Sequence, residues 1–147
     1  MKLIKVYPKE TRQTILGFGG AFTEAAAETM STMSDASRQK FLQAYFEEDG
    51  NRYNFCRTHI QSCDFALGNY AYVEDPKDKE LKTFTLKRDK EYLIPMIKRA
   101  LEVNPKIQLL ASPWSPPAFM KSNKEMNHGG VLKKEYYQMW ADMIVKY

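Results

Sequence analysis

Residues 53–65 read YNFCRTHIQSCDF, and the fold turns on this stretch. The first eight residues, Tyr53 to Ile60, alternate as a strand does. Their parity places Tyr53, Phe55, Arg57 and His59 on one side. The strand then gives way to a polar loop. The same design occurs twice more: a strand over Gln13–Phe18 runs into GFGGAFTEAAA at 17–27, and one over Ile107–Ala111, expected to be buried, runs into SPWSPPAF at 112–119.

Helical patterns fill the intervals. Thr23 is placed to cap a short helix, with Glu24 in its first turn and Ala25 to Ala27 as strong formers. Ser34 caps a longer one, where Phe41, Leu42, Tyr45 and Phe46 share a stripe and Gly50 is a natural stop. Arg88 to Val103 predicts a third helix, which must start or bend near Pro95. Lys133 to Tyr147 predicts a fourth, with Tyr136, Tyr137, Trp140 and Ile144 as its apolar stripe. Long loops span Gln61–Leu86 and Ser112–Gly130. Strands alternating with helices imply parallel pairing through right-handed crossovers. Periodicity alone fits an open doubly wound sheet and a piece of an α/β barrel equally. In a barrel, all three motifs lie on the face where chemistry happens.

Composition narrows the function. The 147 residues suffice for one domain with a sizeable core. Lys and Arg number 22 against 18 Asp and Glu, but they are scattered among acids, as in DPKDKELK and KRDKEY. That reads as a solvated exterior, and no nucleic-acid partner is expected. Cys56 and Cys63 are too few for a disulfide framework, and with His59 and His128 they lack zinc-site spacing. Free thiols are expected, and no metal. No run is long enough for a membrane span, and MKLIKVYPKE has no signal-peptide core. The expected location is cytoplasmic, or secreted if the start is trimmed. KLIKVY at 2–7 alternates as a further short strand, closed by Pro8.

Residues at the strand ends should converge over one cavity. Asp64 offers a carboxylate that accepts from adjacent hydroxyls. Trp114 offers a flat apolar face with an N–H donor, which suits a sugar ring. Arg57 would orient a carboxylate and keep it ionised. Each has a plain alternative: Arg57 an interior ion bridge, Asp64 a turn cap, Trp114 a packing wedge. His59 reads more readily as a satisfied core histidine than as a base, and Glu24 as a first-turn acid. The glycines of GFGG suit a strand end by their conformational freedom, and lack the spacing and Lys of a phosphate loop.

GFGGAFTEAAA, RTHIQSCDFALGNYAYVEDP and LLASPWSPPAFMKSN with NHGG together resemble glycoside hydrolase family 30, the family of glucosylceramidases and related β-glycosidases. The resemblance implies a (β/α)8 barrel with a side β-sandwich. Residues 1–12 would belong to that side domain, and residues 13–147 would form the first three βα units of the barrel. It implies a retaining hydrolase of β-linked glucosides or related glycans, with two Glu carboxyls ~5 Å apart. Neither Glu is expected in this chain, so no catalytic residue is assigned and the segment is expected to be inactive alone. Asp64 and Trp114 carry over as substrate-binding residues, and Arg57 as the support of the nucleophile. Glu24 stands where a relative has Asp, and Phe119 replaces a common Trp. The implied partner is a β-linked saccharide, with no cofactor. Three units leave open sheet edges, which invite self-association. The rivals are a non-catalytic sugar-binding or interaction module and a truncated chain without function. Sugar and linkage stay open.

Overall fold

The computed structural model describes residues 3–147. Its sheet holds three parallel strands in the order β1 (Ala21–Phe22), β2 (Phe55–Ile60), β3 (Gln108–Pro113). Helices α1 (Glu24–Thr32) and α2 (Asp35–Phe46) join β1 to β2, and α3 (Leu93–Val103) precedes β3. A 3-10 turn at Lys134–Tyr136 leads into α4 (Tyr137–Lys146). These are consecutive βα units, as the strand–helix alternation requires.

The caps act as expected. Thr23 Oγ1 accepts from Ala26 N (3.2 Å) and Ser34 Oγ from Ser37 N (3.2 Å). Each satisfies one of the orphan donors at a helix start. Arg38 of α2 closes the other end of α1, donating to the carbonyls of Met30, Ser31 and Met33. Helix α3 begins only at Leu93, so Pro95 falls in its first turn, where no intrahelical N–H is needed.

The sheet packs on its helices through Phe22, Ala27, Met30, Leu42, Phe46, Cys56, Leu93, Met96 and Ala100. A second cluster lies under the long loops: Ile60, Tyr70, Tyr72, Val73, Leu81 and Met120 meet Met139 and Met143 of α4. Full burial of a Met or Leu contributes about 1.5–3 kcal/mol, so each cluster holds its elements firmly.

Four expectations need correction. The strand placed at 13–18 forms later, at Ala21–Phe22, though the carbonyls of Phe18 and Gly20 already accept from β2 backbone N–H groups or the residue before them. No strand forms over residues 3–7, and Lys2 lies outside the described residues. Leu3, Ile4, Val6 and Tyr7 are exposed there; alternation without a neighbouring strand supplies no ladder. Strand β3 is not buried: Leu109 is 42% and Leu110 52% exposed, because β3 is the edge of this sheet. On α4 Met139 and Met143 lie innermost; Tyr136, Trp140 and Ile144 of the expected stripe pack partly buried against the same cluster, while Tyr137 faces solvent.

The glycines also act differently from expectation. Neither Gly19 nor Gly20 has positive φ. Gly19 is needed for space: a Cβ there would lie 2.2 Å from the Phe55 carbonyl oxygen. At Gly20 the nearest atom would be 3.9 Å away. Gly19→Ala should therefore push β1 off β2 and cost more than ~2 kcal/mol, whereas Gly20→Ala should stay within ~1 kcal/mol. Urea unfolding of the two variants checks the pair; equal losses would contradict the steric account.

Candidate functional site

The register of β2 is the starting point. Arg57 lies beside Ala21 and Leu110, and His59 beside Ser112. Alternation sends Cys56, Thr58 and Ile60 toward the helices and loops, and Arg57 to the opposite face. The guanidinium carbon of Arg57 stands 5.1 Å from the centroid of the Trp114 ring, and its Nη2 donates to Ser112 Oγ at 3.0 Å. A cavity of about 140 Å³ lies at these strand ends, and Arg57, Asp64 and Trp114 all line it. His59, Cys63 and Phe65 are among the other residues of its wall. The three residues singled out from the sequence thus meet at one mouth.

The cavity joins two kinds of surface. Trp114 is 48% and Phe65 62% exposed, so flat apolar faces stand open to a ligand. Asp64 is exposed, with acceptor capacity to spare. Arg57 takes part in none of the salt bridges among the described residues. Its charge is partnered only by an indole face and a hydroxyl. Burial pushes the Cys63 thiol up, so it stays protonated and lends the wall no charge.

His59 is a satisfied core histidine. It is 2% exposed, its Nε2 accepts from Glu24 N at 3.2 Å, and its Nδ1 faces the Gln61 carbonyl. With Nε2 accepting, Nδ1 is left to donate to that carbonyl, so both ring nitrogens are partnered.

Glu24 is more than a first-turn acid. Only 2% exposed, it takes Arg88 Nε at 2.6 Å and Nη2 at 3.2 Å, and its Oε2 also accepts from Leu67 N at 2.7 Å. Burial alone would raise its carboxyl; the Arg88 and Leu67 hydrogen bonds outweigh that and hold it below the usual carboxylate range. Arg88 also lies over the Tyr70 ring, 4.6 Å from guanidinium carbon to centroid. Next to it, Asp89 is 1% exposed and accepts from the hydroxyls of Tyr70 and Tyr72, each at 2.5 Å. Burial, together with Asp89, pushes both phenols far above their ordinary range.

This network corrects the reading of KRDKEY as solvated surface: Asp89 is buried and Arg88 partly so. Sequence reasoning missed Arg88, Asp89, Tyr70, Tyr72 and Gln61. Charge runs look alike whether wet or dry, and partners 64 residues apart leave no local signal.

A larger hollow of about 540 Å³ lies between the two long loops, lined by Asn69, Glu74, Phe119, Glu125 and His128 among others. None of Arg57, Asp64 and Trp114 reaches it. Glu125 there pairs with His128 at 2.9 Å on the exposed surface. Among the described residues, no three His, Cys, Asp or Glu gather as metal ligands, and no helix is long and apolar enough to cross a membrane.

Residues 15–147 match the glycosyl hydrolase family 30 TIM-barrel domain. The chain belongs to that family. It is 36% identical to lysosomal acid glucosylceramidase of Mus musculus over 99% of its own length and 29% of that protein. SrfJ from Salmonella typhimurium superposes with a TM-score of 0.89 at 50% identity, covering 92% of this chain and 30% of SrfJ. The endo-β1,6-glucanase BT3312 superposes with a TM-score of 0.82 at 33% identity, covering 95% of this chain and 32% of that one. The chain therefore spans about a third of the length of the relatives it matches, and its three strands are βα units of their TIM barrel.

The Glu24–Arg88 pair makes stability sensitive to acid. A carboxyl lowered in the folded state contributes fully above its unfolded value near 4.5, and the contribution fades as pH falls through the lower folded value. Arg88→Ala strands a buried carboxylate and should cost about 2–3 kcal/mol at pH 7, a figure discounted for the exposed side of Arg88. Urea midpoints from pH 6 to pH 3 should fall more steeply for the native chain than for Glu24→Gln. Parallel curves would remove Glu24 as an acid-labile tie.

Proposed function

We propose that this chain supplies the sugar-holding part of a retaining β-glycosidase acting on β-linked glucosides or related glycans. The observation that carries this reading is the single cavity lined by Arg57, Asp64 and Trp114. Family membership and the names of the relatives, a glucosylceramidase and an endo-β1,6-glucanase, agree with it. The indole would lie against the C–H face of a pyranose, and Asp64 would accept from two adjacent hydroxyls. Arg57 would hold a nucleophilic carboxylate ionised and oriented.

In the whole enzyme the reaction is double displacement. A carboxylate attacks the anomeric carbon as the aglycone oxygen leaves with a proton from an acid. Water, deprotonated by the same residue, then releases the sugar and frees the nucleophile. Glu24 and Glu125, which stand nearest the motif loops, are poorly suited to either task. Glu24 is buried with both oxygens occupied, and Glu125 lies in the separate hollow beside His128. We therefore assign this chain binding and orientation, and neither of the two catalytic carboxylates.

With Trp140→Phe as background, Trp114 is the only indole. Methyl β-D-glucoside should then change its emission saturably, with a Kd of roughly millimolar order. Asp64→Ala should weaken binding at least tenfold, while Glu125→Ala leaves it unchanged. Equal losses would take Asp64 out of the site. A flat titration would leave the chain without the grip proposed here.

The purified chain should hydrolyse nitrophenyl β-D-glucoside no faster than buffer does. Turnover that disappears with Glu24→Gln would overturn the division of labour above. Sugar binding without turnover is also what a non-catalytic binding module would show. Restoration of hydrolysis by a separately produced remainder of a relative's barrel would favour the enzyme reading.

A further inference from the structure

Asp64 and Trp114 stand on different loops, and a sugar ring can be gripped only if their separation is held. Neither touches the other through a hydrogen bond. The tie between their loops is Gln61, three residues before Asp64 and fully buried. Its Nε2 donates to the carbonyl oxygen of Ser115 at 2.9 Å, the residue directly after Trp114. Its Oε1 accepts from Tyr72 N at 3.2 Å. One carboxamide thus uses both ends, fastening the first loop to itself and to the second.

The backbone agrees. Gln61 has φ of 62°, a left-handed conformation that costs a residue bearing Cβ. Such strain persists where the surroundings over-determine it. Here the Gln61 carbonyl also meets His59 Nδ1, so backbone and side chain are both held.

Ser115 is gripped from the other side by Lys121, which is 6% exposed. Lys121 Nζ donates to Ser115 Oγ at 3.3 Å and to the Met126 carbonyl at 2.9 Å. Ser115 Oγ itself donates to that same Met126 carbonyl at 2.7 Å. Lys121 is in none of the salt bridges among the described residues, so its Nζ is committed to this loop through a hydroxyl and a carbonyl.

We infer that Gln61 and Lys121 are positioning residues that set the distance between Asp64 and Trp114. The inference rests on the reading of those two as a sugar grip. Their action is through Ser115, and neither lines the cavity.

The test uses the full chain carrying Trp140→Phe, with two variants added singly. Gln61→Gly relieves the left-handed backbone while removing both side-chain bonds. Lys121→Met keeps the length and apolar stem of the side chain and leaves Gln61 intact. Three readouts are taken: the thermal midpoint, acrylamide quenching of Trp114 without sugar, and affinity for methyl β-D-glucoside. Gln61→Gly should melt within a few degrees of its parent, yet raise the quenching constant at least twofold and weaken sugar binding at least tenfold. Lys121→Met should move quenching and affinity in the same direction, and it decides the matter if Gln61→Gly fails to fold. Unchanged quenching and affinity in the folded variants would overturn the inference. A parent that fails to bind sugar, with quenching still raised in the variants, would sink the functional reading and leave the brace standing.

Discussion

A carboxylate sealed from water at the end of the first strand organises this molecule. Glu24 is charged, and charge in a dry setting must be met by charge and by hydrogen bonds. Both come from the long segment between β2 and α3: Arg88 from its far end and the Leu67 N–H from near its start. A loop of some thirty residues is thereby tied down at two points beside β1. Asp64 sits three residues before Leu67, so fastening Leu67 also places Asp64 over the cavity.

The tie spreads outward through aromatic rings. Arg88 lies over Tyr70, Tyr70 and Tyr72 both donate to Asp89, and Tyr72 stacks on Tyr147 with centroids 5.6 Å apart. Tyr147 follows directly on α4, so one network runs from the first strand to the last helix. It is polar at its centre and apolar at its rim. Such a network specifies one arrangement more sharply than apolar contact would, because each partner left unmet is costly.

Strand β2 divides structural from functional labour. One face of it builds the two cores through Cys56 and Ile60. The other presents Arg57 to the mouth, beside an indole and a serine hydroxyl. His59 shares the parity of Arg57, yet it is the satisfied core histidine that the sequence suggested. It acts as a strut, accepting from the Glu24 N–H. The carboxylates divide similarly: Glu24 and Asp89 are spent on structure, while Asp64 remains open to solvent.

Much was legible in the chain itself. Strand and helix order, both side-chain caps, the helix start near Pro95 and the convergence of Arg57, Asp64 and Trp114 follow from local period, capping chemistry and motif. Family membership was legible from three motifs in order. The N-terminal strand, the burial of β3 and the place of Tyr137 on α4 were misread, because each depends on what lies alongside. Alternation in KLIKVY describes a capacity for pairing, and pairing needs a neighbour. Only the tertiary structure decided that Gly19 yields space to a carbonyl, that Arg88 answers Glu24, and that Gln61 spans two loops. Those contacts join residues 36 to 64 positions apart. Local sequence encodes which groups a chain can offer, and folding alone determines which of them meet.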